Sequence, residues 1–393
     1  MERKILFITY ENPFTKNTGD SIYTCNILDG LFNLSKLIDI IYFDSNPTES
    51  LINEVDSLNF QQITVIKFIK KNPFNFIFSL LPGMIVNRKS KEYIIALENT
   101  LRKKSYDTIV LNHQKMMFTL PIILKHKRHA KLIYSSHNVE YLLSTNLVKY
   151  SNSIIKKLAY WQDAIKTKHF EKKWISQFDG VTAISEHDAD YFQNEYKMPK
   201  VDILRPVFEE NKKLILNYQS KKSCNLIIAG SFDWKPKKDN LLLFLNAKNF
   251  RSLKENGIFL TIVGRANPEF VDFVNKNYDG INMTGEVESL LPYYETSKIA
   301  IVPERLGGGF KLKIVEAALL KTAIFSIKGA ITRCNFIGDV HFIEKNSFEE
   351  LIDEIILVQK KPELLNDLIE NAFSVAKNDF TFDKITESLK NVI

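Results

Sequence analysis

Short apolar runs rich in β-branched residues alternate with longer amphipathic stretches in the first half of the chain. The runs are short and end at polar or turn-forming residues, so they predict strands, at residues 4–10, 38–43, 63–68, 108–111, 132–135 and 181–185. Between them, residues 21–33 and 155–178 have apolar positions at helical spacing. Strands that alternate with helices predict a parallel sheet covered by helices.

The same pattern begins again near residue 225. The second series predicts strands at residues 225–229, 259–263, 299–302, 323–327 and 340–343, and helices near 240–245, 268–276, 288–295, 311–320 and 347–360. A polar stretch between Arg205 and Lys222 separates the two series. We therefore predict an α/β domain over 1–207 and a second over 208–376. A C-terminal segment, 377–393, ends in a helix over 382–392 that is expected to pack back on the first domain.

Composition and charge limit the kinds of partner and location that the protein can have. The chain has 393 residues, 45% hydrophobic and 25% charged, which is typical of globular proteins. A net charge of +7 favours an acidic partner, either phosphate groups or an anionic membrane surface, and no nucleic-acid module is recognised. The three cysteines are far apart, and no secretory signal or membrane-spanning stretch is recognised. We expect a cytoplasmic protein without a nucleic-acid partner, with peripheral attachment to the inner face of the plasma membrane as an open alternative.

A glycine-rich loop between a predicted strand and a predicted helix is the strongest chemical signal. The strand ends at Pro303, and Gly307, Gly308 and Gly309 precede the helix. Such a loop lets backbone N–H groups approach a phosphate, and the helix N-terminus favours negative charge. Lys311 and Lys313 add positive charge, and Glu316 is placed to accept hydrogen bonds from ribose hydroxyls. The alternative is a loop shaped by packing, followed by a solvated Lys/Glu face.

Four segments in order resemble the retaining glycosyltransferases of family 4, which have the GT-B fold. Lys313-Ile314-Val315-Glu316-Ala317 is similar to the family segment that supplies a ribose-binding glutamate. Residues 135–140, 180–188 and 230–240 resemble segments that follow strands in the family. The resemblance implies two Rossmann-like domains facing a cleft. The first would present the acceptor, and the second would bind a nucleotide diphosphate sugar. The second family glutamate would fall on Gly308, which is a departure.

The resemblance also implies roles for individual residues. A histidine at the position of His137 faces the donor sugar near the reacting carbon, although His137 could instead be structural. We expect Lys235 and Lys311 to act on the diphosphate as catalytic groups. The nucleotide sugar would be bound by Gly19, Gly230, Arg265, Gly307, Gly308, Gly309, Phe310, Lys313 and Glu316. Glu304 is out of register with the family glutamate and is not included.

Three further segments allow two interpretations each. Glu140 either orients His137 or caps its own helix. Asp20 and Ser21, next to Gly19, either form part of the acceptor floor or cap a helix. Asp188 and Asp190 form an Asp-x-Asp sequence, but helical spacing predicts a solvated helix start rather than a metal site. We therefore expect no metal and no cofactor, with lysines, Arg265 and a helix N-terminus as the electrophiles.

A Phe/Leu/Ile-rich centre with basic flanks lies at residues 70–91. This composition suits an interfacial segment on an anionic membrane, and a buried helix with solvated ends is the alternative. The combined hypothesis is sugar transfer, with retention, to a hydroxyl of a glycan or lipid-linked acceptor in bacterial surface polysaccharide or lipopolysaccharide assembly. The alternatives are a nucleotide-sugar epimerase or phosphorylase, or a non-catalytic nucleotide-sugar-binding protein.

Overall fold

A computed structural model describes residues 2–15, 18–45, 60–69, 71, 76–151, 153–208, 225–233, 235–304, 310–332 and 334–393. The chain forms two compact units. The first comprises the residues up to Val207 together with Thr381–Ile393, and the second comprises Phe208–Phe380. Among the described residues, no helix is long and apolar enough to cross a membrane.

The first unit is built on a seven-stranded parallel sheet. Its strands are β1 (Ile5–Ile8), β2 (Ile38–Asp44), β3 (Gln62–Lys67), β4 (Thr108–Asn112), β5 (Lys131–Ser135), β6 (Gly180–Ala183) and β7 (Val201–Ile203). Their order is β3-β2-β1-β4-β5-β6-β7. Every residue of β1 and β4 is buried, as expected for central strands that carry helices on both faces. These strands were predictable because their apolar runs are continuous.

Helices cover the first sheet. They are α1 (Gly19–Phe32), α2 (Gly83–Arg88), α3 (Lys91–Lys103), α4 (Leu120–His126), α5 (Glu140–Tyr150), α6 (Ile154–Ile175) and α7 (Glu186–Glu195). The expectation that Asp20 or Ser21 caps α1 is wrong. Thr18 is the N-cap, and its side chain forms a reciprocal capping box with Ser21.

The last helix, α15 (Phe382–Val392), belongs to the first unit although it follows the second in sequence. It packs against α1, where a Cβ added to Gly30 would lie 2.7 Å from a methyl group of Leu389. The Arg3 guanidinium also donates a hydrogen bond of 2.6 Å to the backbone carbonyl of Ile393. Glycine at position 30 therefore allows the two helices to approach closely.

The second unit repeats the architecture with six parallel strands. These are β8 (Asn225–Ala229), β9 (Leu260–Val263), β10 (Ile281–Gly285), β11 (Ser297–Val302), β12 (Ala323–Ile327) and β13 (Ile343–Lys345), in the order β10-β9-β8-β11-β12-β13. Its helices are α8 (Lys235–Leu245), α9 (Arg251–Glu255), α10 (Pro268–Asn277), α11 (Leu291–Thr296), α12 (Leu312–Leu319), α13 (Phe348–Lys360) and α14 (Asn366–Asp379). Both sheets contain the 3-2-1-4-5-6 strand order of Rossmann folds.

The prediction of two α/β units with parallel sheets is confirmed. The sequence pattern missed β7 and β10, and β13 lies at Ile343–Lys345 rather than at 340–343. Strand β7 has only three residues, and β10 contains asparagine and glycine at a half-exposed edge. Such strands lack the continuous apolar run on which the prediction depends.

Candidate functional site

Each sheet places polar side chains where its strand order reverses. In the first unit this point lies between β1 and β4, and in the second it lies between β8 and β11. Helical connections leave in opposite directions there, which opens a crevice at the carboxyl ends of the strands. In the first unit, Asp20, His113 and His137 meet at this edge and are called the histidine cluster. In the second, Glu304, Lys313, Lys311 and Lys237 meet and are called the lysine cluster.

His137 is buried beyond the end of β5, with 3% of its surface exposed. The Asn112 amide donates to the hydroxyls of Thr9 (3.1 Å) and Thr24 (3.0 Å), so its oxygen remains as an acceptor. That oxygen lies 3.0 Å from Nε2 of His137, and this contact assigns the proton to Nε2. Nδ1 therefore faces Oδ1 of Asp20, 3.7 Å away. The contact with Asn112 holds the ring with Nε2 toward the amide oxygen and Nδ1 toward the carboxylate of Asp20.

His113 follows β4 directly and has a left-handed backbone, with φ of 73°. Such a conformation costs about 1–3 kcal/mol for a non-glycine residue, and it is concentrated at functional sites. Nδ1 accepts a hydrogen bond of 3.1 Å from the backbone N–H of Lys115, which leaves the proton on Nε2. Burial, together with the charges of Lys115 and His137, holds the pKa of His113 well below its ordinary value. His113 is therefore a neutral imidazole.

Asp20 is the half-exposed carboxylate of the histidine cluster. Tyr10 donates a hydrogen bond of 2.5 Å to Oδ2, and Nζ of Lys115 lies 3.7 Å from the same oxygen. Although burial opposes its charge, the hydrogen bond to His137 and the positive charge of Lys115 hold the pKa of Asp20 well below its ordinary value. Asp20 is thus ionised and faces His137.

Glu140 contacts His113 rather than His137. Its Oε1 lies 3.5 Å from Nε2 of His113, and the N-cap of α5 is Val139, without a side-chain cap. Neither earlier interpretation of Glu140 therefore describes its contact. Burial, as the largest cause, raises the pKa of Glu140 to about 8, so its carboxyl is mostly protonated at neutral pH. Glu11, next to Tyr10, likewise has its pKa raised to about 7, first by burial and then by Asp20.

Asp20, His113 and His137 each offer one potential ligand atom for a metal ion, and these atoms lie within 4.8 Å of one another. A neutral histidine binds a metal through a nitrogen lone pair. The hydrogen bond from the Lys115 amide to Nδ1 of His113 leaves a proton on Nε2, the nitrogen that lies near Glu140. Binding a metal there requires His113 to change tautomer and lose that bond, so this hydrogen-bonding pattern does not present a complete ligand set.

Glu304 is the centre of the lysine cluster. It lies just past the end of β11 and is 7% exposed. Its carboxylate forms a salt bridge with Lys313, whose ammonium also lies 3.3 Å from the Ala229 carbonyl at the end of β8. Burial opposes the charge of Glu304, but Lys313, Lys311 and Lys237 together lower its pKa to about 2. Burial also lowers the pKa of Lys237 to about 8, with a further contribution from Lys313.

The other predicted residues of the second unit contact partners outside the lysine cluster. Lys235 is exposed and binds both oxygens of Asp239 at 2.9 Å, so Lys237 rather than Lys235 lies beside Glu304. Arg265 pairs with Asp233 at 2.7 Å. The ring of Phe310 packs on Phe380.

Glycines occupy five of the remaining predicted positions, and the structure describes two of them, Gly230 and Gly19. Gly230 follows β8, and a Cβ on Gly264, which has φ of 132°, would lie 1.8 Å from the carbonyl oxygen of Gly230. Gly19 is the first residue of α1. Gly307, Gly308 and Gly309 lie outside the described residues, so their predicted phosphate contacts stay predictions.

Glu316 lies on α12, half-buried. Burial raises the pKa of its carboxyl to about 7. The pKa of the buried Tyr294 is raised well above its ordinary value, first by burial and then by the charge of Glu316. Its role in ribose binding stays a prediction.

Sequence reasoning did not name His113, and it set Glu304 aside. It gave Asp20 a place in the acceptor floor or at a helix cap rather than beside His137, and it considered Lys237 for the diphosphate but favoured Lys235 and Lys311. His113 and Glu304 each come within two residues of a strand end, which was the available signal. Asp188 lies in the first turn of α7, so the predicted helix start is confirmed, but the expectation that it is solvated is wrong. Its side chain is buried and accepts a hydrogen bond of 2.9 Å from Ser185. Asp190 is exposed, as expected.

The architecture of two parallel α/β units defines the class as the GT-B glycosyltransferase fold. HepE of Anabaena, in complex with UDP and glucose, has a TM-score of 0.65 at 14% identity, over 99% of this chain and 98% of that one. Sucrose-phosphate synthase of Thermosynechococcus elongatus has a TM-score of 0.70 at 15% identity, with the same coverage. At these identities the likeness shows the fold.

The family comparison concerns the second unit. Residues 223–361 match the family model described as "Glycosyl transferases group 1", so this part of the chain is a group 1 glycosyl transferase domain. Along its whole length the chain is also similar to the Klebsiella pneumoniae protein described as "Uncharacterized 44.6 kDa protein in cps region". The two are 24% identical, over 98% of each chain. The resemblance drawn from the four sequence segments is confirmed at the level of domain and fold.

Proposed function

We propose that this protein transfers a sugar from a nucleotide diphosphate sugar to a hydroxyl of a glycan or lipid-linked acceptor in surface polysaccharide assembly. The lysine cluster carries the proposal, because it gathers three cations at the switch point of a group 1 glycosyl transferase domain. The UDP and glucose bound by HepE and the cps-region setting of the Klebsiella relative support the donor class and the pathway class.

The transfer breaks the bond between the anomeric carbon and the diphosphate oxygen and forms a bond to the acceptor oxygen. The proton of the acceptor hydroxyl passes to solvent or to the departing diphosphate, on whose leaving oxygen negative charge develops. Lys311, Lys313 and Lys237 would stabilise that charge, as preorganised cations do in a partly buried site. The transfer is proposed to retain the anomeric configuration and to need no metal ion.

His137 is proposed to act on the donor sugar. Its ring orientation is fixed by Asn112, and its Nδ1 faces the ionised Asp20. The negative charge of Asp20 next to the ring would compensate positive charge that develops on the donor sugar during transfer. Asn112 would therefore set the orientation of His137, and Asp20 would supply a compensating negative charge beside it.

A thermal-shift screen with UDP-, GDP- and other sugar nucleotides tests the donor assignment. A ligand at about 100 times its dissociation constant stabilises the folded state by roughly 2.7 kcal/mol, which a melting curve resolves. Hydrolysis of the stabilising nucleotide sugar in the absence of acceptor should follow. No stabilisation by any sugar nucleotide would refute the proposal.

The same samples separate the alternatives. Interconversion of the sugar without loss of the nucleotide would identify an epimerase. Release of a sugar phosphate in inorganic phosphate would identify a phosphorylase. Binding with no turnover in the presence of glycan and lipid-linked acceptors would identify a non-catalytic binding protein.

The acceptor is proposed to be reached at an anionic membrane surface. Phe78 and Leu80 are 96% and 95% exposed, whereas Phe76 is half-buried and packs near Gly83. Arg88 stacks over the Phe68 ring at 3.9 Å, so of the basic flanks Lys71, Lys89 and Lys91 remain at the surface, while Lys70 lies outside the described residues. Each basic residue near an anionic surface contributes about 1 kcal/mol.

Co-sedimentation with liposomes tests this placement. The wild type should bind anionic vesicles at low salt, and binding should fall at high salt and after Phe78→Ser/Leu80→Ser. The matched control is Phe273→Ser, which removes an exposed phenylalanine from the second unit (44% exposed). A folded wild-type protein that ignores anionic vesicles would refute the membrane proposal and leave the sugar transfer intact.

A further inference from the structure

We propose that a basic-rimmed apolar cavity in the first unit binds the lipid phosphate that anchors the acceptor. The cavity is separate from the histidine cluster, and it lies between α6 and the residues that follow Phe76. The assignment rests on the proposed function only where it takes the bound lipid to be part of the acceptor. The binding site itself is argued from the cavity and its surroundings.

The cavity has a volume of about 490 Å³, within the range of about 300–1,000 Å³ that is typical of small-molecule sites. Its lining is mostly apolar, with Leu81, Ile85, Met117 and Phe170 among the lining residues. Met117, Ile85 and Phe170 are buried, so this wall is fixed by the core of the unit. Such a wall fits a hydrocarbon chain rather than a sugar.

Four basic side chains complete the lining: Lys89, Lys166, His169 and Lys173. The lining contains no acidic residue. No salt bridge among the described residues involves Lys89, Lys166 or Lys173. Lys166 donates a hydrogen bond of 2.8 Å to the Phe76 carbonyl, and Lys89, His169 and Lys173 are exposed. An apolar cavity with a cationic rim is complementary to an apolar chain that ends in a phosphate.

The cavity opens beside an exposed apolar surface. Ile154, Leu158, Trp161 and Ile165 follow one another at helical spacing on α6 and are 77%, 60%, 56% and 39% exposed. Ile165 and the exposed Leu80 also line the cavity, so the surface and the cavity are continuous. A helix face of this kind, with lysines along the same helix, is typical of segments that lie in a membrane interface.

The residues after Phe76 are hydrogen-bonded to α6 as well. Gln162 donates a hydrogen bond of 3.2 Å to the Ile77 carbonyl, and the Gly83 amide donates one of 2.7 Å to Asp163. These contacts hold Phe78 and Leu80 beside the apolar face of α6. A lipid anchored in the interface would thus reach the cavity without leaving an apolar surface.

Binding of decyl phosphate, measured by calorimetry below its critical micelle concentration and without nucleotide or membrane, tests the proposal. The wild type should bind it. Lys89→Gln/Lys173→Gln should weaken binding about tenfold or more, because two cations of the rim are lost. The matched control Lys91→Gln/Lys172→Gln removes two exposed lysines that do not line the cavity, and it should bind like the wild type.

A second pair of variants tests the chain. Ile165→Glu places a carboxylate at the cavity and should weaken binding about tenfold or more, whereas Ile155→Glu changes an 80% exposed position of the same helix outside the lining and should not. Circular dichroism confirms folding. If Ile165→Glu does not fold, the decision rests on the lysine variants alone.

Failure to bind decyl phosphate, or equal binding by all variants, would overturn the proposal. Equally tight binding of inorganic phosphate would show a simple anion site, and equally tight binding of decyl glucoside would show an apolar surface without headgroup recognition. Equally tight binding of dihexanoyl phosphatidylglycerol would assign the site to bulk membrane lipid. Each of these results also overturns the proposal. None of these assays involves the sugar donor. If the protein transfers sugar but does not bind decyl phosphate, the cavity proposal fails while the proposed function stands.

Discussion

Replacing Glu304 by glutamine should destabilise the second unit, because it leaves three lysines without their buried counter-charge. The lysines lower the pKa of Glu304 from its ordinary 4.5 to about 2. Each pKa unit corresponds to roughly 1.4 kcal/mol, so the ionised carboxylate contributes about 3 kcal/mol of folding free energy. This agrees with the roughly 3–5 kcal/mol lost when one partner of a buried pair is removed.

The lowered pKa of Glu304 also predicts how the stability difference between the wild type and Glu304→Gln depends on pH. The folded-state pKa is lowered, so the contribution is fully present above pH 4.5 and is lost as the pH falls toward about 2. The stability difference between the wild type and Glu304→Gln should therefore be constant near neutral pH and shrink on acidification below pH 4.5. Urea denaturation at several pH values measures this difference.

Two further variants isolate the cause. Glu295→Gln removes an exposed carboxylate from α11 and should change stability little. Lys313→Met combined with Glu304→Gln should cost less than the sum of the single changes, because the pair is lost together. A loss below about 1 kcal/mol for Glu304→Gln, or full additivity with Lys313→Met, would refute the reasoning.

Three other expectations concern the proposed activity. Glu316→Ala should weaken nucleotide binding roughly 10- to 100-fold in calorimetry, since a charge-assisted hydrogen bond is worth about 1.5–3 kcal/mol; unchanged affinity would remove Glu316 from the site. His137→Ala should lower kcat by more than it raises KM, and full turnover would return His137 to a structural role. Activity should survive EDTA, and a loss that magnesium or manganese restores would count against a metal-independent reaction.

The fold was predictable because most strands of both sheets are continuous apolar runs. Buried parallel strands need apolar side chains on both faces, and β1 and β4 satisfy this along their whole length. The strands that were missed, β7 and β10, are partly exposed at or near sheet edges, where polar residues are tolerated. An edge strand forms mainly because it pairs with the adjacent strand, so its own sequence carries a weaker signal.

The site was predictable only in part. His137 could be proposed because its own segment resembles a known motif. His113 and Asp20 belong to other segments, and they meet His137 only because β1, β4 and β5 are neighbours in the sheet. The order of the strands in the sheet cannot be read from the spacing of residues along one sequence. Glu304 was set aside because its position differs from the family glutamate, whereas the structure shows which lysines surround its carboxylate.

The lysine cluster implies how a donor diphosphate would be accommodated. The described structure already balances Lys313 with Glu304, and the same carboxylate favours the charged form of Lys237. A diphosphate would therefore compete with, or add to, an internal carboxylate rather than meet a set of uncompensated cations. Rearranging the Lys313–Glu304 pair would cost free energy, which would lower the affinity for the bound donor in its ground state. The charge that develops on the leaving diphosphate would strengthen the same contacts, and interactions that grow toward the transition state are the ones that accelerate a reaction.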